Sequence, residues 1–144
     1  MISARSSERR IGITPKVLRI LVVEDEEDSR ELMQRMLRTT GQHDIAAVAT
    51  AEEALEQLRS ERFDLVVTDI GLPGATGIEM LDDARRENLL AGADVIVCSA
   101  NQREGGRVRA RGDRFIPKPA DTQIIVDSVR AVRARVDGGR RAEE

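Results

Sequence analysis

The chain has 144 residues, 34% charged and 40% hydrophobic, with a formal net charge of −3; this fits one domain able to bury a core and excludes a strongly basic nucleic-acid binder. An aromatic fraction of 1%, with no Trp or Tyr, also excludes a stacking platform for bases or a flavin. The single Cys98 precludes an internal disulfide, and no apolar run approaches a membrane span or a signal-peptide core, so a cytoplasmic location is expected.

Residues 1–16 lack periodicity and read as a flexible N-terminal extension. A folded unit over 17–137 follows, with 138–144, opening on Gly138-Gly139, as a flexible C-terminal tail. Leu18 to Val23 is a short apolar run ending at Glu24-Asp25. Asp28 is placed to cap a helix whose apolar stripe is Leu32, Met33, Met36 and Leu37, closed by Gly41. Ile45 to Ala49 is a weak, Ala-rich strand that suits a sheet edge. Thr50 with Glu53 has capping-box spacing and opens a helix over 51–60, with Ala54, Leu55 and Leu58 inward. His43, the only histidine, falls in a turn, reads as solvated and receives no role.

A second apolar run, Leu65 to Thr68, ends at Asp69. A loop containing Gly71 and Pro73 leads to a helix over 77–88 carrying Ile78, Leu81 and Ala84 at helical spacing. A third run, Val95 to Cys98, ends at Ser99, with Cys98 read as a small buried hydrophobe. Residues 101–113 are the least regular stretch. They hold Gly105-Gly106, and Val108 and Ala110 are the only aliphatic side chains. Gly costs about 1 kcal/mol in a helix interior, so a short or irregular, mobile fourth helix is predicted. Arg103, Arg107, Arg109, Arg111 and Arg114 make this stretch basic, either as a solvated face or as a dock for an acidic partner. The last run, Phe115 to Pro117, ends at Lys118. Asp121 then caps a final helix with Ile124, Ile125, Val129, Val132 and Val136 on one side.

Four Val- and Ile-rich runs separated by helices predict an α/β fold with a parallel sheet buried on both faces. Such a sheet gathers its carboxyl ends along one edge, where open α/β folds place ligands. Glu24, Asp25, Asp69, Ser99 and Lys118 would converge there. Clustered carboxylates suit a hard cation such as Mg²⁺. Of 23 Lys+Arg, only Lys16 and Lys118 are lysine, so a strand-end lysine stands out as a compact charge for a carboxylate or phosphate oxygen.

In this order and at these separations, Glu24-Asp25, Asp69, Ser99-Ala100, Phe115 and Lys118-Pro119 resemble the receiver domain of two-component response regulators. The likeness covers about residues 17–136. It implies a doubly wound, five-stranded parallel sheet of order 2-1-3-4-5 with helices on both faces. It further implies that Asp69 accepts a phosphoryl group from a sensor histidine kinase or phosphotransfer protein. Mg²⁺ (or Mn²⁺) would be held by Glu24, Asp25, Asp69 and the Gly71 carbonyl, and Lys118 would pair with the phosphoryl oxygens. Ser99, Ala100 and Phe115 would form the conformational switch, and the Lys118-Pro119 bond would be cis. The resemblance is to single-domain members, whose output passes through a protein partner, here by the 101–118 face and the last helix, without direct DNA binding or membrane contact. Only 19 positions separate Ser99 from Lys118, fewer than most relatives use. Three other readings stand beside this one. An aspartyl-nucleophile phosphatase lacks a second acid two residues after Asp69, and a flavodoxin-like carrier lacks stacking aromatics. A receiver that signals without phosphorylation is the third.

Overall fold

A computed structural model describes the backbone of residues 17–143, and residues 1–16 lie outside it. Five strands form one sheet: β1 (Arg19–Val23), β2 (Asp44–Val48), β3 (Leu65–Asp69), β4 (Asp94–Ser99) and β5 (Arg114–Pro117). Every pairing is parallel and the order is β2-β1-β3-β4-β5. The helices are α1 (Glu27–Arg38), α2 (Ala51–Ser60), α3 (Gly77–Arg86), α4 (Gly105–Ala110) and α5 (Thr122–Glu143).

Alternation along the strands builds two cores. Leu21, Val23, Val66, Val95 and Val97 face Ala54, Leu58, Ile78, Leu81, Ala84 and Val108 of α2, α3 and α4. Ile20, Val22, Leu65, Val67, Ile96 and Cys98 face Met33, Met36 and Leu37 of α1 and Ile125, Val129 and Val132 of α5. Each buried Val, Leu or Ile contributes about 1.5–3 kcal/mol. Because β2 and β3 flank β1 on opposite sides, the chain reverses direction across the sheet between β1 and β3. A crevice opens there beyond the carboxyl ends.

The sheet order and strand positions match the expectation, with β2 at an edge. Several helix details differ. Asp28 does not cap α1; the N-cap position is Glu26, without a side-chain capping bond. Leu32 is 56% exposed and Ile124 is 44% exposed. Each sits one position outside the buried stripe of its helix, at Met33-Met36-Leu37 and Ile125-Val129-Val132. Thr50 does cap α2, accepting from Glu53 N at 3.1 Å, while the Glu53 carboxylate reaches Ala49 N. The third helix stops at Arg86, two residues early, because Asn88 turns left-handed (φ 58) and Leu89 N donates back to Ala84 O.

The crossover after β4 is short, as predicted: a 3₁₀ turn (Gln102–Glu104) and the six residues of α4. Gly105 is there for space. A Cβ on it would lie 3.2 Å from the Phe115 ring and 2.8 Å from the Arg109 guanidinium. Asp121 caps α5, its Oδ1 accepting from Gln123 N and Ile124 N. The expected tail is instead helical to Glu143. Neither Gly138 nor Gly139 takes the left-handed conformation that ends a helix. His43 is half-buried rather than solvated. Its Nε2 lies 2.9 Å from Thr40 Oγ1 and 3.5 Å from Arg133, where α1 meets α5.

Candidate phosphoryl and metal site

Carboxylate oxygens of Glu24, Asp25 and Asp69 lie within 4.8 Å of one another at the switch point between β1 and β3. Glu24 is buried, its backbone N–H held by Val48 O at the end of β2. Asp25 is exposed and Asp69 is in between. Three oxygen-donor side chains at this spacing fit a hard divalent cation, which takes carboxylates and keeps water ligands.

Lys118, the residue after β5, closes the site. Its Nζ donates to Glu24 Oε1 at 2.6 Å and to Asp69 Oδ2 at 3.0 Å. Burial, the largest influence, would lower the ammonium pKa, but the two carboxylates outweigh it and hold it above its ordinary value. Burial pushes the Glu24 carboxyl up, and Lys118 offsets only part of that. The two directions agree: Lys118 stays charged, and the deeper acid is the one that desolvation penalises. The Lys118-Pro119 bond is cis.

Asp69 divides its oxygens, with Oδ1 accepting from Ile70 N at 2.7 Å and Oδ2 facing Lys118. Behind it, α3 starts in direct contact with β3. A Cβ on Gly77 would fall 2.0 Å from Asp69 O, and Gly77 N donates to Ile70 O at 2.7 Å. Thr76 and Glu79 lock this start with a reciprocal capping box. Neither feature stood out in the sequence. The signal that could have found them was Thr-Gly-x-Glu, with glycine at the first helical position. Gly71 is exposed in the loop after β3 and has open space for a Cβ, so a ligand there could come only from the backbone.

The residues expected to act as a switch lie outside the carboxylate cluster. Ser99 is buried at the end of β4, and its Oγ accepts from Asn101 N at 3.1 Å. Ala100 follows it at the surface. Phe115 is half-buried on the α4 side, with the Arg109 guanidinium 5.5 Å over its ring. Beside Asp69, a cavity of about 340 Å³ opens between α1 and the β5–α5 loop, walled by Leu32, Met33, Met36, Cys98, Pro119 and Ala120. Burial raises the Cys98 thiol to a pKa of about 12. Among the described residues, no helix is long and apolar enough to cross a membrane.

A family model described as the response regulator receiver domain matches residues 20–130. The chain is 28% identical over 124 residues to the chemotaxis protein CheY of Pseudomonas aeruginosa, covering 84% of this chain and all of that protein. It is 33% identical over 121 residues to the phosphate regulon transcriptional regulatory protein PhoB of Escherichia coli, covering 82% of this chain and 52% of PhoB. In structure it is similar to the response regulator TrrA of Thermotoga maritima, solved in complex with Mg²⁺ and BeF. The TM-score is 0.72 at 28% identity, over 81% of this chain and 99% of that one.

Proposed function

The chain belongs to the response regulator receiver domain family of two-component systems, and on that footing we propose that Asp69 is its phosphoacceptor. The observation that carries the proposal is Lys118 Nζ bridging Asp69 Oδ2 and Glu24 beside a three-carboxylate cluster. In the transfer, an Asp69 oxygen forms the new P–O bond as the N–P bond of a donor phosphohistidine breaks and the imidazole leaves. Such transfer depends on in-line positioning and charge neutralisation more than on covalent help from the protein. Glu24, Asp25, Asp69 and the Gly71 carbonyl would hold Mg²⁺, which supplies neutralising charge to the phosphoryl oxygens when bound. Lys118 would neutralise a further oxygen, and Ser99 would release Asn101 N to donate its hydroxyl to the phosphoryl group.

A donor must bring its histidine beside Asp69. The apolar cavity between α1 and the β5–α5 loop, with Leu32 exposed at its rim, gives a kinase or phosphotransfer protein its landing surface. Output would use the β5 edge of the sheet. There Phe115, Ile116 and the exposed Ile124 line a depression of about 350 Å³ flanked by Arg109 and Arg114, which suits a partner presenting an apolar anchor between acidic groups.

The test adds Mg²⁺ with acetyl phosphate or beryllofluoride to the full chain. Amide shifts at Asp69, Ser99 and Phe115 that vanish in Asp69→Asn are expected. Metal binding without any such response would favour a receiver that works unphosphorylated. Steady turnover of small phosphoesters would favour a phosphatase.

A further inference from the structure

We propose that α3 is a strut carrying the phosphorylation signal from Asp69 to the turn between α4 and β5. This route would run beside the Ser99 and Phe115 switch and rests on the phosphoacceptor reading above.

At one end, α3 has no slack against the acceptor. Gly77 abuts the Asp69 carbonyl so closely that even a methyl group would overlap it, and Gly77 N is tied to Ile70 O. The positive end of the helix dipole thus lies beside a residue that would gain roughly two negative charges. Any movement of the Asp69–Ile70 peptide must be passed to the helix, whose inner face is packed on the sheet by Met80, Leu81 and Ala84. Further along, at Asp82 about 7.5 Å and Arg85 about 12 Å beyond Gly77 along the axis, α3 grips the α4–β5 turn twice. Arg111 meets Asp82 through Nε and Nη2, both at 3.2 Å. Arg85 Nη2 meets Asp113 Oδ1 at 2.5 Å.

The second pair is the informative one. The Asp113 side chain is only 4% exposed, and its Oδ2 has no hydrogen-bond partner among the described residues. A buried carboxylate depends on its charge partner, so the Arg85–Asp113 contact ties the turn firmly to α3. A polar cavity of about 320 Å³ borders Arg85, Arg111 and Asp113 and leaves room for the pairs to shift. If the strut transmits, the two ends are coupled in both directions.

The experiment compares amide shifts on adding Mg²⁺ and beryllofluoride to the full-length wild type, Arg85→Ala, Asp113→Asn and the double variant. The expected result is that the Val108 and Gly112 responses fall to less than about half in each single variant. They should fall no further in the double variant, while Ser99 and Phe115 respond as before. The conservative Arg85→Lys, which keeps a cation beside Asp113, should recover part of the lost response. Retained Ser99 and Phe115 shifts show that each variant is folded and liganded. Unchanged Val108 and Gly112 responses in that setting overturn the strut alone. A wild type that responds nowhere overturns the phosphoacceptor reading and the strut with it.

Discussion

Lys118 Nζ stands 3.0 Å from Asp69 Oδ2, the oxygen left free when Oδ1 takes the Ile70 amide. This places the cation on the side of the nucleophile where a phosphoryl group would arrive. Lys118→Ala should therefore slow phosphorylation of Asp69 by about 100-fold, the scale of losing one positioned charge-stabilising donor. Because the same change removes a positive charge from a three-carboxylate cluster, Mg²⁺ affinity should rise. Opposite movements in acetyl-phosphate kinetics and in a Mg²⁺ titration are the signature; parallel losses would mean that the site had collapsed.

Gly77→Ala tests the close approach of α3 to β3. The added methyl would meet the Asp69 carbonyl at 2.0 Å, and the neighbour is backbone, so helix or strand must move. A destabilisation of about 2 kcal/mol is expected in denaturant unfolding, within the range for overpacking a tight contact. Gly71→Ala, which enters open space, should leave stability within about 0.5 kcal/mol of wild type.

His43 gives the fold a pH dependence. Burial lowers its pKa, Arg133 on α5 lowers it further, and Asp44 on β2 opposes them. The folded state then binds fewer protons than the unfolded chain, so stability is full above the unfolded value of about 6.5 and is lost as pH falls from there through the lowered folded value. Thermal unfolding between about pH 7 and pH 5.5 should show a falling midpoint, with a shallower fall in His43→Gln. An identical slope in the variant would remove His43 as the cause.

Much of this was legible in the residues. The Val- and Ile-rich runs specify buried parallel strands because only a sheet covered on both faces consumes apolar residues at every position. Strand-end Asp69 and Lys118 followed from the same logic, since strand ends of a parallel sheet share one edge. What stayed hidden depends on a third dimension. Leu32 and Ile124 read as core because helical periodicity sets a stripe only to within one residue, and the neighbouring element decides which side is covered. Gly105 and Gly77 read as helix weaknesses or helix starts, yet each is small to admit a contact distant in the chain, with Phe115 or Asp69. The Arg111–Asp82 and Arg85–Asp113 pairs link residues 29 and 28 positions apart, and charge pattern along the chain does not reveal them. His43 looked solvated because α5, which covers it, lies 90 positions downstream.

Cys98 tests the dryness of the core under the site. With its thiol pushed up to about 12 by burial, roughly one thiol in ten thousand is ionised at pH 8. The native protein should resist an aromatic disulfide reagent that labels the unfolded chain within minutes. Rapid labelling of the native state would show that the cavity walled by Leu32, Cys98 and Ala120 admits reagent to the thiol.

The short crossover should be the least protected part of the domain. In α4, a helix of six residues, Gly105 and Val108 are the buried positions, and two adjacent glycines cost about 1 kcal/mol each against alanine. Its anchoring falls to Val108 in the core and to the Arg111 and Asp113 pairs with α3. The Arg111–Asp82 pair is substantially exposed, and such pairs contribute little and weaken with salt. Amides of residues 102–112 should therefore exchange with solvent faster than those of 81–86, and faster still at high salt. Equal protection of the two segments would show that Val108 and the Asp113 pair alone hold α4, and would leave Gly105 a purely steric role beside Phe115.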